Sequence, residues 1–278
     1  MGRYSKEKCC RTQCAASHIK RSVMSKTNAR IRLFVDEGLT EGALVTASEA
    51  QAHYLLHVMR CKPGQPVALF NGRDGEWWAS LAIPTKRSVQ FDVEKLSRVQ
   101  DSAPDLWLAF APVKRVDFIA EKASELGVAA LLPVFTQRTD IKRVKVERLQ
   151  AHALEAAEQC SRLSVPTVHT PCSFDQFVTE WPVDRRLYFL DESGGGAPIA
   201  QALMSATREP CGFLTGPEGG FAQSELDALR QLPFATAVGL GPRLLRAETA
   251  AIAALACWQA LVGDWVPPSL PRKPIDGV

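Results

Sequence analysis

Short apolar runs alternate with segments of helical period from Leu106 to Leu261, and that alternation leaves few folds open. Residues 106–111, 129–134, 186–190, 211–215 and 235–240 have the length and continuous apolar character of strands covered on both faces. Between the first two, Val116, Ile119, Ala120, Ala123 and Leu126 recur at helical spacing, and Gly127 follows as the residue that accepts a left-handed helix end. A longer helix is predicted over 144–163, with Val146, Leu149, Ala153, Ala157 and Cys160 on one face and Pro166 beyond its end. An Ala-rich helix over 248–261 closes the series. Parallel neighbours need a crossover, so this order demands a mostly parallel sheet with helices on its faces.

Upstream of a polar linker at 98–104 the texture is β-rich. Strands are predicted at 31–35, 43–47, 66–70, 76–83 and 88–96, with a short helix opened by the capping box of Ser48 and Gln51 and ended by Lys62, Pro63 and Gly64. The expected organisation is a small barrel-like domain over 29–98 and an α/β domain over 105–266, with a tail over 267–278. His53 and His57 lie one turn apart, but Tyr54, Leu55 and Leu56 between them supply no glutamate base, which excludes a zinc protease. Residues 1–28 hold seven Lys/Arg against one acid and no periodicity, and read as a basic, disordered extension, with Met24 as a second plausible start. Cys10, Cys14 and His18 in that extension lack a fourth ligand, so no metal is expected.

Charge decides what the rest of the chain can attract. The extension contributes +6, which leaves residues 29–278 at −3, so bulk charge announces no nucleic-acid partner and any such site must be local. One local cluster exists: Arg138, Lys142, Arg143, Lys145 and Arg148 against Asp140 and Glu147, a phosphate-facing candidate. At 46% hydrophobic and 23% charged residues the chain is neither disordered nor low in complexity. Its most apolar stretch, 247–262, is broken by Glu248, Thr249 and Gln259, so no membrane span is expected; the eight scattered cysteines fit reduced thiols in a cytoplasmic protein.

Two glycine-bearing loops stand at carboxyl ends of predicted strands, the ligand edge of an open α/β sheet. They are Gly216-Pro217-Glu218-Gly219-Gly220 and Gly239-Leu240-Gly241-Pro242-Arg243-Leu244-Leu245-Arg246. The second is no dinucleotide fingerprint, because Leu244 stands at the third glycine position and Pro242 interrupts it; neither loop ends in the Gly-Lys-Ser/Thr of a phosphate loop. Exposed backbone groups beside Leu240, Leu244 and Leu245 suit a ring recognised by its edge, such as adenine.

The strings FLTGPEGGF, GLGPRLLRAETA, EKASELGV and AAEQCSR carry a resemblance that covers the chain from Arg32 to Asp264. It resembles the RsmE-type methyltransferases, which act on N3 of a uridine in small-subunit ribosomal RNA. The resemblance implies a SPOUT-type trefoil-knotted parallel-sheet α/β domain preceded by a PUA-like β-barrel. It also implies S-adenosyl-L-methionine as methyl donor, 16S ribosomal RNA in the small ribosomal subunit as partner, a homodimer, and no membrane. Carried over residue by residue, the cofactor site is Leu190, Thr215, Gly216, Pro217, Glu218, Gly219, Gly220, Leu240, Gly241, Leu244, Leu245, Arg246 and Thr249. Arg162 and Arg246 are the implied catalytic residues, with Glu218 and Glu248 the nearby carboxylates; Arg32, His53, Arg60, Lys114 and Arg138 are the implied RNA contacts. The competing reading of Arg162 is a surface ion pair with Glu158 at i, i+4. Two departures stand out: Ser161 replaces the glycine before that arginine, and Ala222 replaces a hydroxyl at a helix start. A ribose 2′-O methyltransferase of the same superfamily and a non-catalytic RNA-binding protein remain as alternatives.

Overall fold

A computed structural model describes residues 31–85 and 88–265; the basic extension over 1–28, its Cys10, Cys14 and His18, the Met24 start and the tail over 267–278 lie outside the described residues. The first sheet contains β1 (Arg32–Phe34), β2 (Leu44–Thr46), β3 (Pro66–Phe70), β4 (Glu76–Thr85) and β5 (Ser88–Arg98) in the order β1-β3-β4-β5-β2. Only β1 and β3 run parallel among its pairs. Val67, Leu69, Leu81, Phe91 and Val93 fill its inner face. Helix α1 (Glu49–His53) begins as the sequence predicts: Gln51 N donates to Ser48 Oγ at 3.2 Å and Ser48 N donates to Gln51 Oε1 at 3.0 Å. It continues into a π-helical turn, Tyr54–Val58, and the chain leaves through Arg60 at φ +53°.

The second sheet is parallel throughout. Its strands are β6 (Leu106–Phe110), β7 (Ala130–Phe135), β8 (Thr167–Val168), β9 (Cys172–Ser173), β10 (Arg186–Leu190), β11 (Ala197–Pro198), β12 (Cys211–Thr215) and β13 (Ala235–Gly239). They follow the order β11-β13-β10-β12-β6-β7-β8, with β9 pairing the end of β7. The helices are α2 (Val116–Glu125), α3 (Val146–Gln159), α4 (Phe174–Glu180), α5 (Ile199–Leu203), α6 (Gln223–Gln231) and α7 (Ala247–Leu261). Side chains of α2, α3, α5 and α7 share one core with Leu108, Phe110 and Phe213; those of α4 and α6 share another with Ala109, Phe189 and Leu214. Successive strand residues thus feed opposite faces, which is why these runs read as continuously apolar. Helices α4, α5 and α6 are five to nine residues long, too short to show a period in the sequence. No helix of the described residues is long and apolar enough to cross a membrane.

The sheet order hides a threading. Residues 191–196 join β10 to β11, yet β13 lies between those two strands and hydrogen-bonds both. The later strand therefore passes beneath an earlier crossover, as the resemblance implies. Contact there is close: a Cβ on Gly196 would stand 2.6 Å from Val238 C and 2.8 Å from Val238 N.

Helix α3 ends at Gln159, short of the predicted 163, because Ser161 turns left-handed at φ +62°. The backbone keeps the conformation that a glycine would take and bears the Cβ crowding of about 1–2 kcal/mol that an L-residue meets there. Replacing Ser161 by Gly is expected to raise stability by up to about 1 kcal/mol, read as a higher Tm in thermal melts. The turn also removes the competing reading, a Glu158–Arg162 pair: Glu158 instead accepts Phe34 N at 2.9 Å. Burial pushes its carboxyl up, against the pull of that amide and of Arg32.

The two sheets are joined at this helix end. Phe70, Ala157 and Leu163 form a buried cluster with Phe34 and Val165 beside it. Arg32 sits over the Phe70 ring at 4.4 Å and donates to Glu76 Oε2 at 2.7 Å, Ala157 O and Glu158 O at 2.9 Å, and Arg162 O at 3.0 Å. With its side chain 11% exposed and its fork committed to carbonyls of the other domain, Arg32 is a buried joint between the domains and not the exposed group that the expected RNA contact calls for.

Candidate active site

The carboxyl ends of β10, β12 and β13 open into a cavity of about 570 Å³. Three segments wall it: the strap 191–196, residues 215–220 from the end of β12 onward, and residues 239–246 leading into α7. Leu190, Val238 and Leu240 give it an apolar floor, and Ala247 and Ala250 bring in the first turn of α7. That helix starts at Arg246 without a side-chain cap, so its first N–H groups and the positive end of its dipole lie at the cavity edge. Thr215 is 3% exposed and its Oγ1 has no hydrogen-bond partner, although it lines the cavity. A buried hydroxyl without a partner is costly unless a ligand or water supplies one.

The walls are tied together. Asp191, with a fully buried side chain, accepts Arg230 Nη2 at 2.8 Å, Ser193 N at 2.9 Å and Ser193 Oγ at 2.5 Å. Burial opposes its ionisation, but the hydrogen bonds from Ser193 and Arg230 hold its carboxyl below the usual range. Glu192 accepts Phe221 N at 3.1 Å, joining the strap to the loop after β12. Gly220 is left-handed at φ +65°, and a Cβ there would stand 1.9 Å from Glu192 Oε1. Beyond it, Ala222 caps α6 without a hydroxyl; Glu225 compensates by accepting Ala222 N at 2.8 Å and, with its other oxygen, Gln137 N at 2.7 Å. Arg138 donates to Gly219 O at 3.0 Å. The basic loop after β7 is therefore fastened at two points to the segment that runs from the loop after β12 into α6. Glu225→Ala strands both amides and is expected to cost about 3 kcal/mol, measurable as a shift in the urea midpoint.

Most of the expected cofactor residues meet in this cavity: Leu190, Thr215, Gly216, Pro217, Glu218, Gly220, Leu240, Gly241, Leu244, Leu245 and Arg246. Gly219 and Thr249 are not among its walls. Gly219 turns outward, where a Cβ would meet Arg138 Cβ at 3.5 Å, and Thr249 is exposed on α7. The strap was not anticipated as a wall beyond Leu190, although Asp191 followed by Ser193 and three glycines at a strand end is a readable turn signal.

Arg246 stands at the rim, but Arg162 does not. Its half-buried guanidinium, whose pKa is pulled down to about 10 by desolvation, donates to Ser124 O and Ser164 Oγ, both at 3.0 Å. The charge of Asp264, just past α7, reaches it there. The cavity begins at the other end of α7, and fifteen residues of helix span about 22 Å, so the two do not meet within one chain. Past the left-handed turn at Ser161, Arg162 is held at the end of α2 by the carbonyl of Ser124. Glu248 is 4% exposed and accepts Arg115 Nη1 at 3.5 Å, while Glu218 is exposed. Lys114 and Arg138 are exposed on the cavity side of the sheet, and His53 and Arg60 are exposed on the first domain.

Residues 101–259 match the RNA methyltransferase domain family and residues 48–94 the RNA methyltransferase PUA domain family. The chain is similar to the ribosomal RNA small subunit methyltransferase E of Synechocystis sp., 34% identical over 79% of this chain and 74% of that protein. It is also similar to the same enzyme of Rickettsia conorii, 28% identical over 81% of this chain and 93% of that protein. Among solved structures it superposes on the ribosomal RNA small subunit methyltransferase E from Neisseria gonorrhoeae bound to S-adenosyl methionine, with a TM-score of 0.77, 27% identity, and coverage of 85% of this chain and 99% of that one. A putative methyltransferase from Legionella pneumophila in complex with bound SAM gives a TM-score of 0.75 at 30% identity, covering 84% of this chain and 98% of that one.

Proposed function

This chain belongs to the ribosomal RNA small subunit methyltransferase E family of RNA methyltransferases, and from that premise we propose that it transfers a methyl group from S-adenosylmethionine to N3 of a uridine in 16S ribosomal RNA. The observation that carries the reading is the cavity with its unpartnered Thr215 hydroxyl. The residues present fit the cofactor. Leu190, Val238 and Leu240 offer apolar contact to a purine face, Thr215 Oγ1 and the loop amides offer partners for its polar edge, and the uncapped start of α7 suits a carboxylate.

When bound, the cofactor supplies an electrophilic methyl group on a sulfonium. The chain must then hold uracil N3 in line, accept its proton and stabilise the charge that develops on O2 and O4. Arg246 at the rim is the cation for that charge. Among the wall carboxylates Asp191 is locked by Arg230, Glu192 holds Phe221 N and the neighbouring Glu248 faces Arg115; Glu218 is exposed and is the acceptor we assign to the N3 proton.

RNA reaches this edge over the exposed Lys114, Arg138, Lys142, Arg143 and Lys145, with His53 and Arg60 extending the face onto the PUA-like domain. Replacing Lys142, Arg143 and Lys145 together by Ala is expected to flatten the salt dependence of RNA binding by about three units while cofactor affinity holds. Filter binding across a salt series checks it. The outward side of α7 presents Ile252, Ala253, Ala256 and Ala260, partly or fully exposed small and apolar residues that support a homodimer. A ribosomal RNA substrate supports a cytoplasmic location.

The test is methyl transfer to small subunits lacking the modification, with the product nucleoside identified by mass spectrometry. A base-methylated uridine is expected. A ribose-methylated nucleoside would favour 2′-O transfer, and calorimetric cofactor binding without product would leave an RNA-binding protein.

A further inference from the structure

A strap containing Gly194, Gly195 and Gly196 has little intrinsic preference for any one path, yet it forms a wall of the cavity. Its start is fixed where Asp191 N donates to Val238 O at 3.0 Å, and its end lies against the backbone of β13. Between those points the strap is folded onto the Asp191–Arg230 pair itself. A Cβ on Gly195 would stand 2.9 Å from both Arg230 Nη2 and Asp191 Oδ2. Arg230 is not one of the cavity walls; it reaches the strap from the last turn of α6.

Helix α6 follows directly from the loop 216–220, and Glu225 anchors its first turn. Its nine residues span about 13 Å, so one rigid element begins at one wall and ends, through Arg230, at the other. Asp191 is the reason the tie at Arg230 is strong. Its carboxylate is wholly buried, and removing its cation would leave a buried charge held by the Ser193 hydrogen bonds alone.

We propose that Arg230 is a positioning residue of the cofactor site: through Asp191 it latches the strap in the conformation that binds S-adenosylmethionine. The inference rests on the function proposed above. Without the latch the strap samples paths that narrow or open the cavity, and cofactor affinity falls by the fraction of time the binding path is lost.

The experiment uses the full chain and its Arg230→Met, Arg230→Lys and Asp227→Asn variants. Asp227 is the second, exposed carboxylate beside Arg230, at 3.5 Å, and its variant leaves the latch in place. Calorimetry with S-adenosylmethionine and with S-adenosylhomocysteine gives Kd, and steady-state assays separate KM for the cofactor from kcat. Arg230→Met is expected to raise both Kd values about tenfold, with KM moving in step and kcat at saturating cofactor within about twofold. Arg230→Lys should recover part of the affinity, and Asp227→Asn should match the wild type. An Arg230→Met protein that melts earlier but binds as the wild type does would overturn the latch and leave a purely structural pair. Equal losses in Arg230→Met and Asp227→Asn would overturn it too, as a general effect of charge. Should Arg230→Met fail to fold, Arg230→Lys and Ser193→Ala each weaken the latch and are expected to raise Kd about threefold; no change in either refutes it. A wild-type protein that takes up no cofactor refutes the function itself, whereas wild-type binding retained by every variant refutes the latch alone.

Discussion

Gly196→Ala is expected to raise the Kd for S-adenosylmethionine at least about a hundredfold and to remove about 3 kcal/mol of stability, or roughly 6–12 °C in Tm. The added methyl would stand 2.6–2.9 Å from Val238 C, Val238 N and Gly239 N. All three are backbone atoms at the carboxyl end of β13, which is paired on both sides, so no side-chain rotation relieves the overlap; the strap must lift from β13. Lifting it breaks the β11–β13 pairing and moves a wall of the cavity. Gly38→Ala serves as the control, since a Cβ there meets nothing within 4 Å. Calorimetry and a thermal melt on both variants decide it: wild-type affinity in Gly196→Ala would show that the strap has slack the structure does not display.

Arg32→Ala should cost about 3–5 kcal/mol and uncouple the two domains, so that one cooperative melt becomes two. The substitution leaves the carboxylate of Glu76, whose side chain is 9% exposed, with Arg98 at 3.3 Å as its remaining cation, and strips a donor from the carbonyls of Ala157, Glu158 and Arg162. Arg32→Lys should rescue little, because one ammonium cannot span a carboxylate and three carbonyls. The outcome also distinguishes a joint from an RNA contact. A lost phosphate contact would lower the salt slope of RNA binding by about one unit and leave differential scanning calorimetry unchanged.

The parallel sheet was legible because doubly covered strands are apolar at every position, as in the Leu187-Tyr188-Phe189-Leu190 and Phe213-Leu214 runs. The α1 capping box and the two glycine loops were legible because their chemistry is local. What escaped depends on partners distant in sequence. β11 is two residues long, and nothing near it says that β13 will slide in beside it. Serine by itself does not advertise a positive φ, and the helical period runs on past it, so α3 ends earlier than its apolar face predicts. An arginine in a strand looks the same whether it meets solvent or, like Arg32, four acceptors on two domains. The cofactor loops show the same limit at finer scale: the segment 215–220 was evident, but which of its glycines faces inward was not, and Gly219 faces Arg138.

Threading gives the molecule an unusual response to force. In an ordinary edge-exposed sheet, tension on the chain ends peels strands away one hydrogen bond at a time. Here β13 runs under the strap and leads through residues 240–246 into α7, so pulling on the carboxyl side is expected to draw the crossover down onto Val238 and Gly239 like a noose. The same geometry imposes an order on synthesis: strand and final helix emerge after the strap and must be passed beneath it before the cavity has a third wall. Cofactor uptake therefore counts chains that have completed the passage, and a titration of freshly refolded protein reads topology directly.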